Sequence, residues 1–425
     1  MTDLETRVAP ARATPLRRAA PALLGYAAVR ALGLIVLAVW SAARGKSAYT
    51  LLTARWDALW YTRVADLGYG YEVRLPNGDV HSNLAFFPLL PWLERLLHAL
   101  LPVSYADAGF VVSLVASLAA AWGIFAVADH VYGARAGVCA VLLWAVLPVG
   151  IVQSMAYSES LFTALAAWSL YAVLTGRWVS AGVLAALAGL TRPVGLAVVA
   201  AVWAAGVAPF VRHWRDRASD GARTAGHAPG AESAARAPRV PTEEGAGYAT
   251  HAPSVTDGAS LTRRALGMLI APLGAAGYVL WVGLRTGKGP LGYLDVQAGW
   301  RNGFDGGYAF ARFVADKFTS FPSALAGLAL IIGVILLVRL YVTGVREGQP
   351  LALLVYTGVV TALALCASSY FGSKPRLLLP AFPLLLPLAR ALARLRTSPS
   401  VLVTAGIAAA SAVYGAFWLN GSGPP

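Results

Sequence analysis

The sequence predicts an all-α fold, a polytopic transmembrane helical bundle. Three observations predict it. Hydrophobic residues make up 58% of the 425 residues and charged residues only 13%, where a soluble domain carries about 25% charged residues. Mean hydropathy is +0.62. The apolar residues are gathered into runs, many of them near the 20 or so residues that cross a bilayer. This pattern excludes a disordered chain, a coiled coil and an ordinary soluble enzyme. An outer-membrane barrel would need alternation instead of long apolar runs. The 13 Trp suit a membrane protein with aromatic belts.

The runs lie near 21–42, 108–128, 137–153, 159–175, 179–191, 195–210, 265–284, 319–340, 351–367, 376–391 and 399–418. They give about 11 spans, with a range of about 10–12 because Arg192-Pro193 interrupts a short pair. The first run follows the cationic stretch MTDLETRVAPARATPLRR. Its length makes it a retained helix, where a cleaved signal would be shorter. With a cytoplasmic N-terminus, Lys and Arg are in modest excess inside. The short loops carrying Arg135, Arg177, Arg339, Arg346, Arg390, Arg394 and Arg396 show it best. The net charge of +14 is then topological, and the expected partners are membrane lipids, with no nucleic acid. Cys139 and Cys366 lie inside apolar runs and form no disulfide framework. The abundance of Ala, Gly and Arg fits a high-GC bacterium, hence a multi-pass protein of a bacterial plasma membrane.

Composition divides the chain. Residues 1–210 form a front membrane module and 265–425 a back one. Between them, 211–264 is Ala, Gly, Pro, Arg and acid with almost no bulky apolar residue. Such a segment cannot bury enough surface to fold alone, so it reads as a flexible cytoplasmic linker. Two long loops fall outside, 43–107 and 285–318.

The first outer loop carries the candidate chemistry. Trp56, Leu59, Trp60 and Arg63 recur at helical spacing through 54–67, as in an amphipathic helix along the interface. Asp57 lies among those tryptophans, beside Arg55. A half-buried carboxylate there can serve as a general base, although an ion pair with Arg55 or Arg63 explains it too. Asp66 reads as a second carboxylate on roughly the same helix face. Glu72, Asp79 and His81 follow, each equally explained as a solvated loop charge. Pro76-Asn77-Gly78-Asp79 is a turn. Residues 83–101 form a second apolar segment, broken at Pro88 and Pro91. His81 has no Cys or His neighbour at ligand spacing, so no obligate metal or other cofactor is expected.

Other candidates lie at the ends of apolar runs. Tyr157-Ser158-Glu159-Ser160 opens the fourth run, where helix capping explains the serine and acid in part. An ionisable group there rarely faces lipid, so Glu159 is a pocket candidate. Arg192 sits between two short helices and suits either snorkelling or a phosphate. Lys374, Arg376 and Arg301 are further outer cations that fit a lipid phosphate or ordinary headgroup contact. Charge at mid-bilayer is scarce outside Arg30. That favours a membrane enzyme over a transporter, which would place ionisable groups in broken helices at that depth.

Arg55-Trp56-Asp57 after the first span, Gly68-Tyr69, the stretch Asn83-Leu84-Ala85-Phe86-Phe87-Pro88-Leu89-Leu90-Pro91, and Tyr157-Ser158-Glu159-Ser160-Leu161-Phe162 together resemble the PIG-V mannosyltransferases. These belong to the GT-C superfamily of integral-membrane glycosyltransferases. The resemblance covers the front six spans and reaches the back part only by general architecture. It implies a GT-C type bundle, a polyprenyl-phosphate mannose donor and catalysis on the outer face. It carries the essential acid of the first outer loop onto Asp57. It also implies a pocket formed by the Phe86-Phe87-Pro88 segment and Glu159. The residues themselves offer Arg55, Trp56, Trp60, Asp66, His81, Tyr157, Arg192, Arg301, Lys374 and Arg376 as further substrate-binding candidates. Many GT-C enzymes have paired acids in this loop, and several need a metal. Here Asp57 has no adjacent second acid, so a metal requirement is not implied. The expected reaction is inverting transfer of mannose to an acceptor hydroxyl on a lipid or glycan. The alternatives are a carrier of lipid-linked sugars and a GT-C enzyme for another sugar.

Overall fold

The computed structural model describes residues 14–225, 258–368 and 370–421. Residues 1–13 of the cationic stretch and 226–257 of the linker lie outside them. The fold is an all-α polytopic bundle with one small hairpin. Helix α1 (Pro15–Ala43) is followed by the first long loop, which is itself folded: α2 (Ala48–Thr53), α3 (Asp57–Leu67), a hairpin of β1 (Glu72–Arg74) and β2 (Val80–Ser82), and α4 (Leu89–Leu100). Next come α5 (Tyr105–Tyr132), α6 (Ala134–Ala145), α7 (Ser158–Leu174), α8 (Trp178–Gly189) and α9 (Leu196–Ala225). The back part holds α10 (Gly258–Ile270) and α11 (Leu273–Thr286). The second long loop carries α12 (Gly292–Gly299) and α13 (Tyr308–Asp316). Then follow α14 (Phe321–Arg346), α15 (Leu351–Cys366), α16 (Lys374–Leu377), α17 (Leu386–Arg394) and α18 (Thr397–Leu419). Helix α1 packs between α18, α6 and α5. Helices α5, α7, α8 and α10 form a continuous row, and α15 packs on α9.

Every apolar run of the sequence overlaps a helix. Among the described residues, six helices are long and apolar enough to cross a membrane: Pro15–Ala43, Tyr105–Tyr132, Pro193–Arg215, Gly258–Thr286, Phe321–Arg346 and Ser398–Leu419. A seventh span results if Phe371–Leu377 and Phe382–Arg394, bent by 73°, count as one. Four further apolar helices are shorter, and the 12 residues of α6 rise only about 18 Å, against a hydrocarbon core of about 30 Å. The expectation of eleven spans therefore exceeds the count of full-length crossings. Prolines account for part of the shortening. Pro148 follows the end of α6 inside the run 137–153, and Pro380 and Pro383 divide 376–391. At the other end of the scale, α9 runs past residue 210 to Ala225, because the Ala and Arg that follow are good helix formers.

Broken helices leave carbonyls without partners, which low-dielectric surroundings penalise. Buried Arg30, the mid-span charge, answers this at α6. Its guanidinium donates to the carbonyls of Ala145 and Gly150. Gln153 donates to Trp144 O at 2.7 Å, and Ser411 Oγ to Leu147 O at 2.7 Å. Arg30 is thus a helix cap, with Tyr26 beside it. Arg30→Met should lower stability by about 2–4 kcal/mol, through the stranded carbonyls. Thermal unfolding in detergent checks this.

Helix α4 is too short to cross and buries Glu94 completely against Gly109 of α5. Neither carboxyl oxygen has a hydrogen-bond partner, and burial pushes the pKa well above the ordinary carboxylate range. Such a group supports the fold below its unfolded pKa, near 4.5, and loses that support as pH rises toward the raised value. Glu94→Gln should therefore exceed wild type in stability at neutral pH, by about 1.4 kcal/mol for each pH unit spanned. The difference should close in acid, as read by unfolding across the acid-to-neutral range.

Candidate active site

The site is built where α3, the start of α7, the turn after α8 and α16 meet. Trp56 precedes α3 with φ 52° and ψ −125°. A tryptophan in that region is strained by about 1–3 kcal/mol. The turn makes Asp57 the first residue of α3, where helix-dipole charge favours an acid. The helix thus begins later than the spacing from 54 suggested.

Four charged side chains converge. Arg376 Nη1 lies 2.9 Å from Asp57 Oδ2, and its Nε lies 3.3 Å from Glu159 Oε1. Arg192 Nη1 is 2.5 Å from the same Glu159 oxygen. Glu159 therefore sits between two guanidinium groups, which is what a carboxylate with 1% of its side chain exposed requires. Tyr157, fully buried, places its ring under the Arg376 guanidinium at 5.1 Å. The set is formally neutral, two acids against two arginines. Only Asp57 is open, with 26% of its side chain exposed. Arg376 stays close to both acids, yet its Nε and Nη1 hydrogens make no aligned hydrogen bond with either.

Two residues join the cluster that the sequence reading left out of the site. Tyr61 and Ser158 share a hydrogen bond at 2.7 Å, and Arg192 Nη1 donates to Ser158 Oγ at 3.2 Å. Tyr61 stands four residues after Asp57 on α3, hence on the same helix face, a spacing that could have found it. Helix capping accounts for Ser158 in the sequence only in part. The serine makes no cap hydrogen bond, since the N-cap of α7 is Tyr157.

Other candidates fall elsewhere. Asp66 is exposed and not in the cluster, because nine residues at about 100° each put it half a turn from Asp57. Phe86 and Phe87 are buried. Phe86 stacks on Trp60 and meets Tyr61 edge-on at 5.1 Å, while Phe87 packs on Tyr278 and Tyr293. Phe86 thus packs beside Tyr61 of the cluster, and Phe87 belongs to a separate aromatic group. Arg55 lies over the Trp56 ring at 4.3 Å, outside the ion pairs. His81 stacks on Trp300 at 4.0 Å, and its partial burial pushes the imidazole pKa down. Arg301 pairs with Asp79 at 2.6 Å. These contacts fasten the hairpin to α12. Lys374 donates to the carbonyls of Ala364 and Ala367 at 2.9 and 2.6 Å, so it caps the end of α15. The Gly68-Tyr69 and Asn83 motifs are scaffold as well. Asn83 Nδ2 donates to Gly68 O, its Oδ1 accepts from Gly70 N, and Tyr69 OH donates to Phe86 O.

Residues 83–218 match the family described as dolichyl-phosphate-mannose-protein mannosyltransferase. That stretch contains Glu159 and Arg192 but neither Asp57 nor Arg376. No curated protein matches the chain. Among solved structures, the chain is similar to ArnT from Cupriavidus metallidurans bound to undecaprenyl phosphate. Identity is 15%, TM-score 0.50, with 90% of this chain and 63% of that chain covered. The apo form of ArnT gives 15% identity, TM-score 0.45, and coverage of 88% and 57%. The chain thus spans less than two thirds of the length of these neighbours. The fold is of the GT-C type.

Glu159→Gln should strip both guanidinium groups of their shared anion and cost about 3–5 kcal/mol of stability. Asp57→Asn, at the open edge, should cost under about 1 kcal/mol. Unfolding of the two variants side by side in detergent tests that division.

Proposed function

We propose that the protein is a membrane glycosyltransferase that moves mannose from polyprenyl-phosphate mannose to an acceptor hydroxyl on the outer face of a bacterial plasma membrane. The observation that carries this reading is the open Asp57 carboxylate held beside buried Arg376, with half-buried Arg192 close by, at one edge of a helical bundle. Three further points support it: the family match over 83–218, the GT-C type fold, and the undecaprenyl phosphate bound by the structural neighbour. The PIG-V-like motifs favour mannose as the sugar.

In this reading Asp57 takes the proton of the acceptor hydroxyl. The acceptor oxygen bonds to the anomeric carbon as the bond from that carbon to the phosphate oxygen breaks. The electron pair leaves with the lipid phosphate. Arg192 and Arg376 hold the charge that develops there, so the leaving group needs no separate acid. A single displacement inverts the anomeric centre. An apolar groove of about 610 Å³ lined by Tyr69, Trp92, Leu187, Leu190, Tyr278 and Trp281 supports a lipid donor. Leu190 stands two residues from Arg192, so a prenyl tail in the groove brings its phosphate toward the arginines.

The test is transfer from labelled polyprenyl-phosphate mannose in membranes holding equal amounts of wild type and Asp57→Asn. Wild type should transfer, and the variant should fall by about 10²-fold or more. Equal transfer by both would remove Asp57 as the base.

A further inference from the structure

We propose that Arg376 is shared between Asp57 and the donor phosphate, so that donor binding and release of the base are one event. This rests on the function proposed above. Arg376 is buried, and its guanidinium reaches Asp57 and Glu159 at once. Its two N–H groups nearest the acids make no aligned hydrogen bond. A buried guanidinium in that state retains directional donors for another anion, and phosphate oxygens match its fork better than one edge of a carboxylate does. Glu159 is fixed independently by Arg192 at 2.5 Å. It stays as the pivot while Arg376 exchanges Asp57 for phosphate.

The groups that face Asp57 are few. Arg376 comes from α16, Glu159 and Tyr157 from the start of α7, Tyr61 from its own helix, and Arg192 from the turn after α8. Arg376 is the only one of them in an ion pair with Asp57 among the described residues. While it stands 2.9 Å from Oδ2, the guanidinium fills the space at that oxygen that an acceptor hydroxyl would need. A phosphate that draws Arg376 off therefore frees Asp57 only once donor is in place.

The experiment is a double-mutant cycle on binding of undecaprenyl phosphate, without sugar, to the full chain in detergent. If Asp57 competes for Arg376, Asp57→Asn binds the probe roughly tenfold tighter than wild type, the scale of one close charge pair, although it cannot transfer. Arg376→Gln binds it roughly tenfold weaker. In the Arg376→Gln background the Asp57→Asn gain should shrink to less than about twofold. Should Arg376→Gln not fold, Arg376→Lys serves as the background, because one ammonium cannot serve two carboxylates and a phosphate as a fork does. Unchanged or weaker binding by Asp57→Asn overturns the coupling and leaves the proposed function standing. An equal gain in both backgrounds marks plain charge repulsion and overturns it too. A wild-type protein that does not bind the probe brings down the proposed function, and the coupling with it.

Discussion

The constraint on which the site depends is a carboxylate with no access to water. Glu159 stands at the start of α7 with its side chain buried, and an anion there must be met by cations. Two arrive from elements far apart in the chain, Arg192 after α8 and Arg376 on α16. Each brings a separate part of the bundle to one point. Arg376 then reaches onward to Asp57, which ties α3 of the first long loop to the back part of the protein. One buried charge therefore sets the mutual positions of four segments. Removing a partner from such a set costs far more than the set contributes relative to apolar packing, so the pairing acts as a specification of geometry.

The same physics explains the short helices. Proline ends α6 early and bends the chain between α16 and α17. Each interruption leaves carbonyls that bilayer surroundings cannot solvate. Arg30 answers at α6 and Lys374 at the end of α15. A cation is an economical cap because one side chain carries several donors and complements the partial negative charge of a helix C-terminus. Among the described residues, buried Arg30 and Lys374 face carbonyls, buried Arg264 faces the rings of Trp178 and Phe210, and buried Arg376 with half-buried Arg192 faces carboxylates. Only that last pair stands where a partly exposed acid is also present.

Much of the bundle was legible in the sequence, since apolar runs report helices directly. Helix ends were less so, because a proline shortens a run without altering its hydropathy. The charges of the site were legible as Asp57, Glu159, Arg192 and Arg376, each placed where an apolar run begins or ends. Their pairing was not, since partners separated by up to several hundred residues leave no local pattern. For the same reason Lys374 and Arg301 looked equivalent to Arg376, although one caps a helix and the other clips a hairpin. Phe86 and Phe87 looked like pocket walls because aromatic residues serve both as lining and as backing. Burial decides between those uses, and burial is a tertiary property. Asp66 fell away on helical geometry alone.

The two acids show how one cluster divides its work. They share a guanidinium and lie within reach of the same two arginines, yet 1% of one side chain is exposed and 26% of the other. A carboxylate buried beside two cations is closed off from a substrate hydroxyl. One held from a single side stays partly exposed toward the opening. The difference traces to backbone: Glu159 enters a helix that is buried along most of its length, while Asp57 follows the strained turn at Trp56 and begins a half-exposed helix. Proton transfer needs an accessible atom before it needs any particular basicity. Accessibility therefore assigns the reactive role to Asp57 and the anchoring role to Glu159.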